Sequence, residues 1–148
     1  MISFFVPGCP IAQPRIKARG VFAKGKVFAQ VYEPGGKASP VRQWKSDIRA
    51  EAYKQMGGRL LFGPVCIAVE FYLPRPQRLM RSKDPAGPIP HDVKPDIENV
   101  LKAFMDSLTG IVYTDDRQVA SVLVQKFFAG KTMAPGTKVT ISQIGEIV

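Results

Sequence analysis

Five acids stand close together in the C-terminal half of the chain: Asp96 and Glu98, then Asp106, then the neighbours Asp115 and Asp116. Carboxylate oxygens are the donors that hard divalent cations prefer, and Mg2+ in particular is held by a few carboxylates while water and substrate phosphate fill its other positions. A cation so held polarises a phosphoryl oxygen and lowers the pKa of an attacking water. The chemistry to which these residue types point is therefore hydrolysis of a phosphodiester.

Each acid also has an ordinary assignment. Asp96 suits a helix cap or first turn, where the helix dipole favours negative charge. Glu98 and Lys102 have the spacing of a surface pair on a helix, and Asp106 is a second candidate partner for Lys102. Asp115 and Asp116 have the chemistry of a turn. What raises all five above these assignments is their joint occurrence in a basic chain.

The elements that would have to position them can be read from pattern. Ile97, Leu101, Phe104, Met105 and Leu108 recur at helical spacing, which predicts an amphipathic helix opened by Lys94-Pro95, running to about Leu108 and closed by Thr109-Gly110. Within a regular helix Asp96 and Glu98 would point apart. At its N-terminus, Asp96 in the extended cap conformation and Glu98 in the first turn can address one point. The short segment Ile111-Val112-Tyr113 spans only about 10 Å at strand rise, so the return of Asp115 or Asp116 to that point is permitted but not dictated.

Elsewhere, Ile2–Val6 reads as a strand stopped by Pro7-Gly8, and Val21–Ala29 as a hairpin turning at Lys24-Gly25-Lys26. Ser39 and Pro40 predict the start of a helix to about Met56, with Val41, Trp44, Ile48, Ala52 and Tyr53 on its apolar side and Gly57-Gly58 as its stop. Val65–Leu73 is a strong strand. Residues 74–93, with five prolines and several arginines, read as an exposed, mobile loop. Residues 118–128 and 137–144 are expected to form a final strand pair. The order β, hairpin, α, β, α, β, β predicts a single compact α+β domain over 1–148, a mixed sheet packed with two main helices.

Lys and Arg outnumber Asp and Glu by 21 to 12, a net charge of +9 that favours polyanions such as nucleic acid. The cations are grouped: Arg15, Lys17, Arg19, Lys24 and Lys26 in one stretch, Arg75, Arg78, Arg81 and Lys83 in another, and Lys94 beside the acids; the stretch at 15–26, the arginines of the loop at 74–93 and Lys94 are the expected contacts to DNA phosphates. No apolar run approaches the roughly 20 residues of a membrane span, and the opening residues lack the pattern of a signal peptide. The expected location is the cytoplasm, with no membrane partner. Cys66, in an apolar run, is expected to be a buried small hydrophobe, and Cys9 and Cys66 are expected not to pair.

The run from Lys94 to Gly110, KPDIENVLKAFMDSLTG, resembles the signature helix of the RusA family of Holliday junction resolvases, whose usual form is K-P-D-x-D-N-x-x-K-x-x-x-D-x-L. Tyr113-Thr114-Asp115-Asp116-Arg117-Gln118-Val119 is similar to the family's following D-D-x-Q-V, and Pro7-Gly8-Cys9-Pro10 with Pro14-Arg15 to the opening of its phage-borne members. The resemblance implies an Mg2+-dependent endodeoxyribonuclease (Mn2+ the other candidate) that acts as a homodimer and places paired symmetric nicks in branched DNA. It implies Asp96, Glu98 and Asp116 as metal ligands, Asp115 as a neighbour in the set, and Lys102 as a cation offsetting charge on the phosphoryl or leaving oxygens. Asn99 would tie the helix start. The second motif acid is normally Asp and here is Glu98, one methylene longer, in a site where Mg2+ demands near-ideal octahedral geometry. A non-cleaving, structure-selective DNA-binding protein is therefore the alternative reading. A small-molecule phosphatase lacks the expected phosphate-cradling glycine loop. His91 is a candidate phosphate contact or an idle loop residue.

Overall fold

The computed structural model describes residues 1–14, 17–32 and 39–145. In chain order the elements are β1 (Ile2–Pro7), β2 (Lys17–Ala23), β3 (Lys26–Tyr32), α1 (Pro40–Met56), β4 (Val65–Leu73), β5 (Ile89–Pro90), α2 (Ile97–Leu108), β6 (Val119–Phe128) and β7 (Gly136–Gln143). Five strands make one mixed sheet in the order β1-β7-β4-β6-β5, and β2 and β3 form a separate hairpin. The hairpin turns at Lys24 and Gly25, both with positive φ, the backbone a tight two-residue turn requires.

The alternation of β4 sets the architecture. Val65, Ile67, Val69, Phe71 and Leu73 are buried on one face, while Cys66, Ala68, Glu70 and Tyr72 on the other are half-buried. The buried face is covered by α1 and α2, so the domain is α+β with both helices on one side of the sheet. Cys66 thus lies on the open face and not in the core, and both cysteines are free. Aromatic edges join the layers: Phe71 of β4 sits 6.1 Å from Trp44 of α1 and 5.8 Å from Phe104 of α2, centroid to centroid.

Both helices hold to their predicted ends except at one point. Pro40 opens α1, and Gly57 closes it with φ 61°, its N–H donating to Tyr53 O. Met56 completes the buried side of α1, whereas Tyr53, assigned to that side by pattern, is exposed. The second helix starts at Ile97 and not at Lys94, because Asp96 keeps an extended backbone (φ −68°, ψ 141°) and Lys94, which precedes a proline, is biased away from helix. The Lys94–Pro95 bond is cis. The buried side of α2 centres on Val100, Ala103, Phe104, Ser107 and Leu108, with Leu101 and Met105 at its margin. Arg49 of α1 reaches the far end of α2, donating to Ser107 O at 3.1 Å and Thr109 O at 3.2 Å, which satisfies carbonyls the helix leaves unpaired.

The last two strands do not pair with each other. β4 lies between them, parallel to β6 and antiparallel to β7, while β7 also pairs with β1. The reason is topological: β4, α2 and β6 form a strand–helix–strand crossover, and such a crossover joins parallel neighbours. Residues 74–93 are likewise more built than their prolines suggest. A single helical turn, Gln77–Leu79, and β5 lie within them, and Arg75 donates to Leu79 O, Pro85 O and Gly87 O. Truncation at the aromatic junction tests the layering: Phe71→Ala is expected to cost about 3–5 kcal/mol in urea unfolding, several times the cost of Leu123→Ala on the exposed side of β6.

Candidate metal and phosphate site

The acids are presented by the start of α2 and by the turn before β6. Asp96 occupies the cap position of α2, yet its side chain makes no capping bond and is exposed. Glu98, in the first turn, is exposed too. Both line an open groove of about 890 Å³, together with His91, Lys94 and Lys126. Among the described residues neither carboxylate has an ion pair or a side-chain hydrogen bond. Asp96 thus takes the cap position that its ordinary assignment gives it, without the capping hydrogen bond, and the pair of Glu98 with Lys102 is absent among the described residues.

Burial of one side of α2 turns the opposite side outward. Glu98, Lys102 and Asp106 follow one another at four-residue spacing, are all exposed, and border a second hollow of about 300 Å³ together with Asp116. Lys102 pairs with neither acid among the described residues. Glu98 borders both hollows and links Asp96 on one side to Asp116 on the other.

The two neighbouring aspartates divide their roles. Asp115 accepts from Arg117 N at 2.9 Å and pairs with the Arg117 guanidinium at 3.6 Å, and the backbone bond from Arg117 leads the influences that hold its carboxyl below the usual range. It caps the helical turn Asp116–Gln118. Asp116, the first residue of that turn, is exposed toward α2. Tyr113 lies beneath, fully buried, donating to Met105 O at 2.9 Å. Burial first, then the charges of Asp116 and Asp106, push its phenol well above the usual range.

Gln118 fixes this turn. Its Oε1 accepts from Thr114 N at 2.9 Å and Asp115 N at 3.2 Å, and its Nε2 donates to Leu61 O at 3.0 Å and Gly63 O at 3.2 Å. Every hydrogen-bonding position of a primary amide is used. Sequence reasoning quoted this residue only as the Gln of the motif D-D-x-Q-V and gave it no role, although Asp115 followed three places later by Gln is the signature of a reciprocal cap. Lys126 was also missed, a lone cation in the apolar run of β6. Its Nζ donates to Val93 O at 2.7 Å and Pro95 O at 2.6 Å.

In kind, the donors suit a hard divalent ion: Asp96, Glu98 and Asp116 are exposed carboxylates along one side of α2. Their arrangement is open, and among the described residues no three Asp, Glu, His or Cys side chains are gathered closely enough to hold a metal ion. Closure on an ion would fall to rotation of exposed side chains, Glu98 having the longest reach.

The expected phosphate contacts are distributed unevenly. Lys94 and Arg78 are exposed and border an apolar hollow that adjoins the acid groove. Arg75 is engaged with three loop carbonyls, and Arg81 is paired with Asp84, whose carboxyl it holds low. Lys24 and Lys26 are exposed at the hairpin tip. Lys17 and Arg19 lie in β2, with side chains outside the described residues, as is Arg15 altogether. Asn99 makes no side-chain hydrogen bond among the described residues; its carbonyl accepts from Gln13 N. His91 packs its ring 4.4 Å from that of Phe128, with Nδ1 buried and unpartnered among the described residues, and burial followed by the charge of Lys126 lowers its pKa. Replacing Gln118 by Leu leaves two N–H groups and two carbonyls without this partner and is expected to lower stability by about 2–3 kcal/mol, read by thermal and urea unfolding.

The chain is 30% identical over 148 residues to an uncharacterized protein, YqaN, of Bacillus subtilis (strain 168), a match covering 97% of this chain and 96% of the other. The family model described as endodeoxyribonuclease RusA matches residues 7–142, a span that holds both helices, all the acids and the turn built by Gln118. The chain belongs to the RusA endodeoxyribonuclease family.

Proposed function

We propose that this protein is a divalent-metal-dependent endodeoxyribonuclease that resolves four-way DNA junctions by paired nicks, with Asp96, Glu98 and Asp116 as metal ligands. Family membership gives the class, an endodeoxyribonuclease associated with Holliday junctions. The observation that carries the finer reading is the pair of exposed carboxylates of Asp96 and Glu98, without an ion pair among the described residues, in a groove of a chain with net charge +9. Two carboxylates on one open groove, committed to no ion pair among the described residues, are free to serve a hard divalent ion.

A divalent ion in this site would supply Lewis-acid polarisation of the phosphoryl oxygen and a lower pKa for the attacking water. The chain's own residues do the rest. Lys102, exposed between Glu98 and Asp106, presents an unpaired ammonium where charge accumulates on the phosphate. Asp115 holds its turn and leaves Asp116 to face α2. Lys94, which lines the acid groove, and Arg78, which lines the hollow adjoining it, are exposed and grip backbone phosphates, with Lys24 and Lys26 extending the contact. Binding through phosphates is insensitive to sequence and weakens with salt. A homodimer would bring two such sites to opposite strands of a symmetric junction. The open arrangement of the acids favours a second reading, a junction binder that does not cut.

The test is cleavage of a labelled four-way junction beside a linear duplex of the same sequence, in Mg2+, Mn2+ and EDTA. Paired nicks near the branch point are expected in at least one metal, abolished by EDTA and reduced at least about 10³-fold by Asp96→Asn, with junction affinity retained. Tight binding without nicks in either metal would establish the binding protein instead.

A further inference from the structure

Among the described residues, the hydrogen bonds that hold the segment delivering Asp96 to the groove are all made with one residue of another element. Residues 91–95 lie between β5 and α2 and belong to neither. Lys126 of β6 touches this segment three times: its carbonyl accepts from His91 N at 3.0 Å, and its Nζ donates to Val93 O at 2.7 Å and Pro95 O at 2.6 Å. Hydrogen bonds from an ammonium are shorter and stronger than neutral ones, and of these two the one to Pro95 O ends at the residue immediately before Asp96, the other at Val93. The same side chain forms part of the groove wall with Asp96 and Glu98.

On the nuclease reading above, we infer that Lys126 is a positioning residue for the metal site, one that acts through the Val93 and Pro95 carbonyls to set where the Asp96 carboxylate stands relative to Glu98. One backbone bond, from Val100 N at 3.2 Å, ties the Asp96 carbonyl to its own helix, but its carboxylate makes no capping bond, so where the carboxylate stands depends also on the backbone on its N-terminal side. β6 follows directly from the Asp116–Gln118 turn, so one strand carries both the clamp on Asp96 and the lead-in from Asp116. The relative position of the two outer acids is thereby referred to a single rigid element, paired along its length with β4.

The experiment compares wild type, Lys126→Met, which keeps the stem without donors, and Lys126→Arg. Three quantities are read: amide hydrogen exchange, Mn2+ affinity of the protein without DNA, and junction-cleavage kcat and KM. In Lys126→Met, exchange is expected to rise across residues 91–99 and stay unchanged in α1 and β4. Mn2+ affinity and kcat should each fall about 10- to 100-fold, while KM for the junction changes little. Lys126→Arg should recover part of both. Unchanged exchange at 91–99 would overturn the clamp, and raised exchange with wild-type Mn2+ affinity would overturn its role in positioning the ligand. A wild-type chain that takes up no Mn2+ and cuts no junction would instead overturn the nuclease reading, a result separate from the exchange measurement.

Discussion

Everything in the site follows from how α2 is buried. The helix carries one apolar side, and the sheet offers one apolar face, so Val100, Ala103, Phe104 and Leu108 must turn to β4 and α1. Phe104 meeting Phe71, itself against Trp44, fixes the rotation of the helix about its axis. Once that rotation is set, residues on the opposite side have no freedom of direction. Glu98, Lys102 and Asp106 face solvent because Phe104 faces the core. The chemistry on the outside is oriented by packing on the inside, and dense packing tolerates little rotation.

Polar contacts then make the adjustments that packing cannot. Arg49 secures the far end of α2, Gln118 secures the turn behind Asp116, and Lys126 secures the approach to Asp96. All three act on backbone carbonyls, and none uses an acid of the site. Among the described residues, Asp115 alone of the five acids at the site is committed to structure, through Arg117. The carboxylates of Asp96 and Glu98 are left open because these other side chains hold the surrounding backbone.

Much of this could be read from the chain. The helix ends at Pro40, Gly57 and Leu108, the strand Val65–Leu73 and the separate hairpin all carry local signals, and the acids stood out by type and spacing. What could not be read was long-range. That β6 lies beside β4, and not beside β7, depends on the path of the crossover, which leaves no mark on either strand. The buried side of α1 takes Met56 in place of Tyr53 because the helix rotation is set by neighbours, not by hydropathy. Arg75 and Arg81 look like phosphate contacts by charge and are bound within their own loop by geometry. Lys126 and Gln118 have functions defined by carbonyls far away in sequence, and no periodicity reveals such partners.

The strand order has a consequence for how the chain reaches this state. Among the described residues β1 has no neighbour in the sheet except β7, with Ile2 opposite Ile141, so the first strand waits for the last. β7 also completes the other flank of β4, the middle strand. Closing a loop of nearly the whole chain costs entropy before its contacts repay it, and topologies of this kind fold slowly. During synthesis β4, α2 and β6 can associate as a local unit, while Phe4 and Val6 find their places only after β7 has emerged. The acid-bearing helix is thus able to dock before the sheet beneath it is whole.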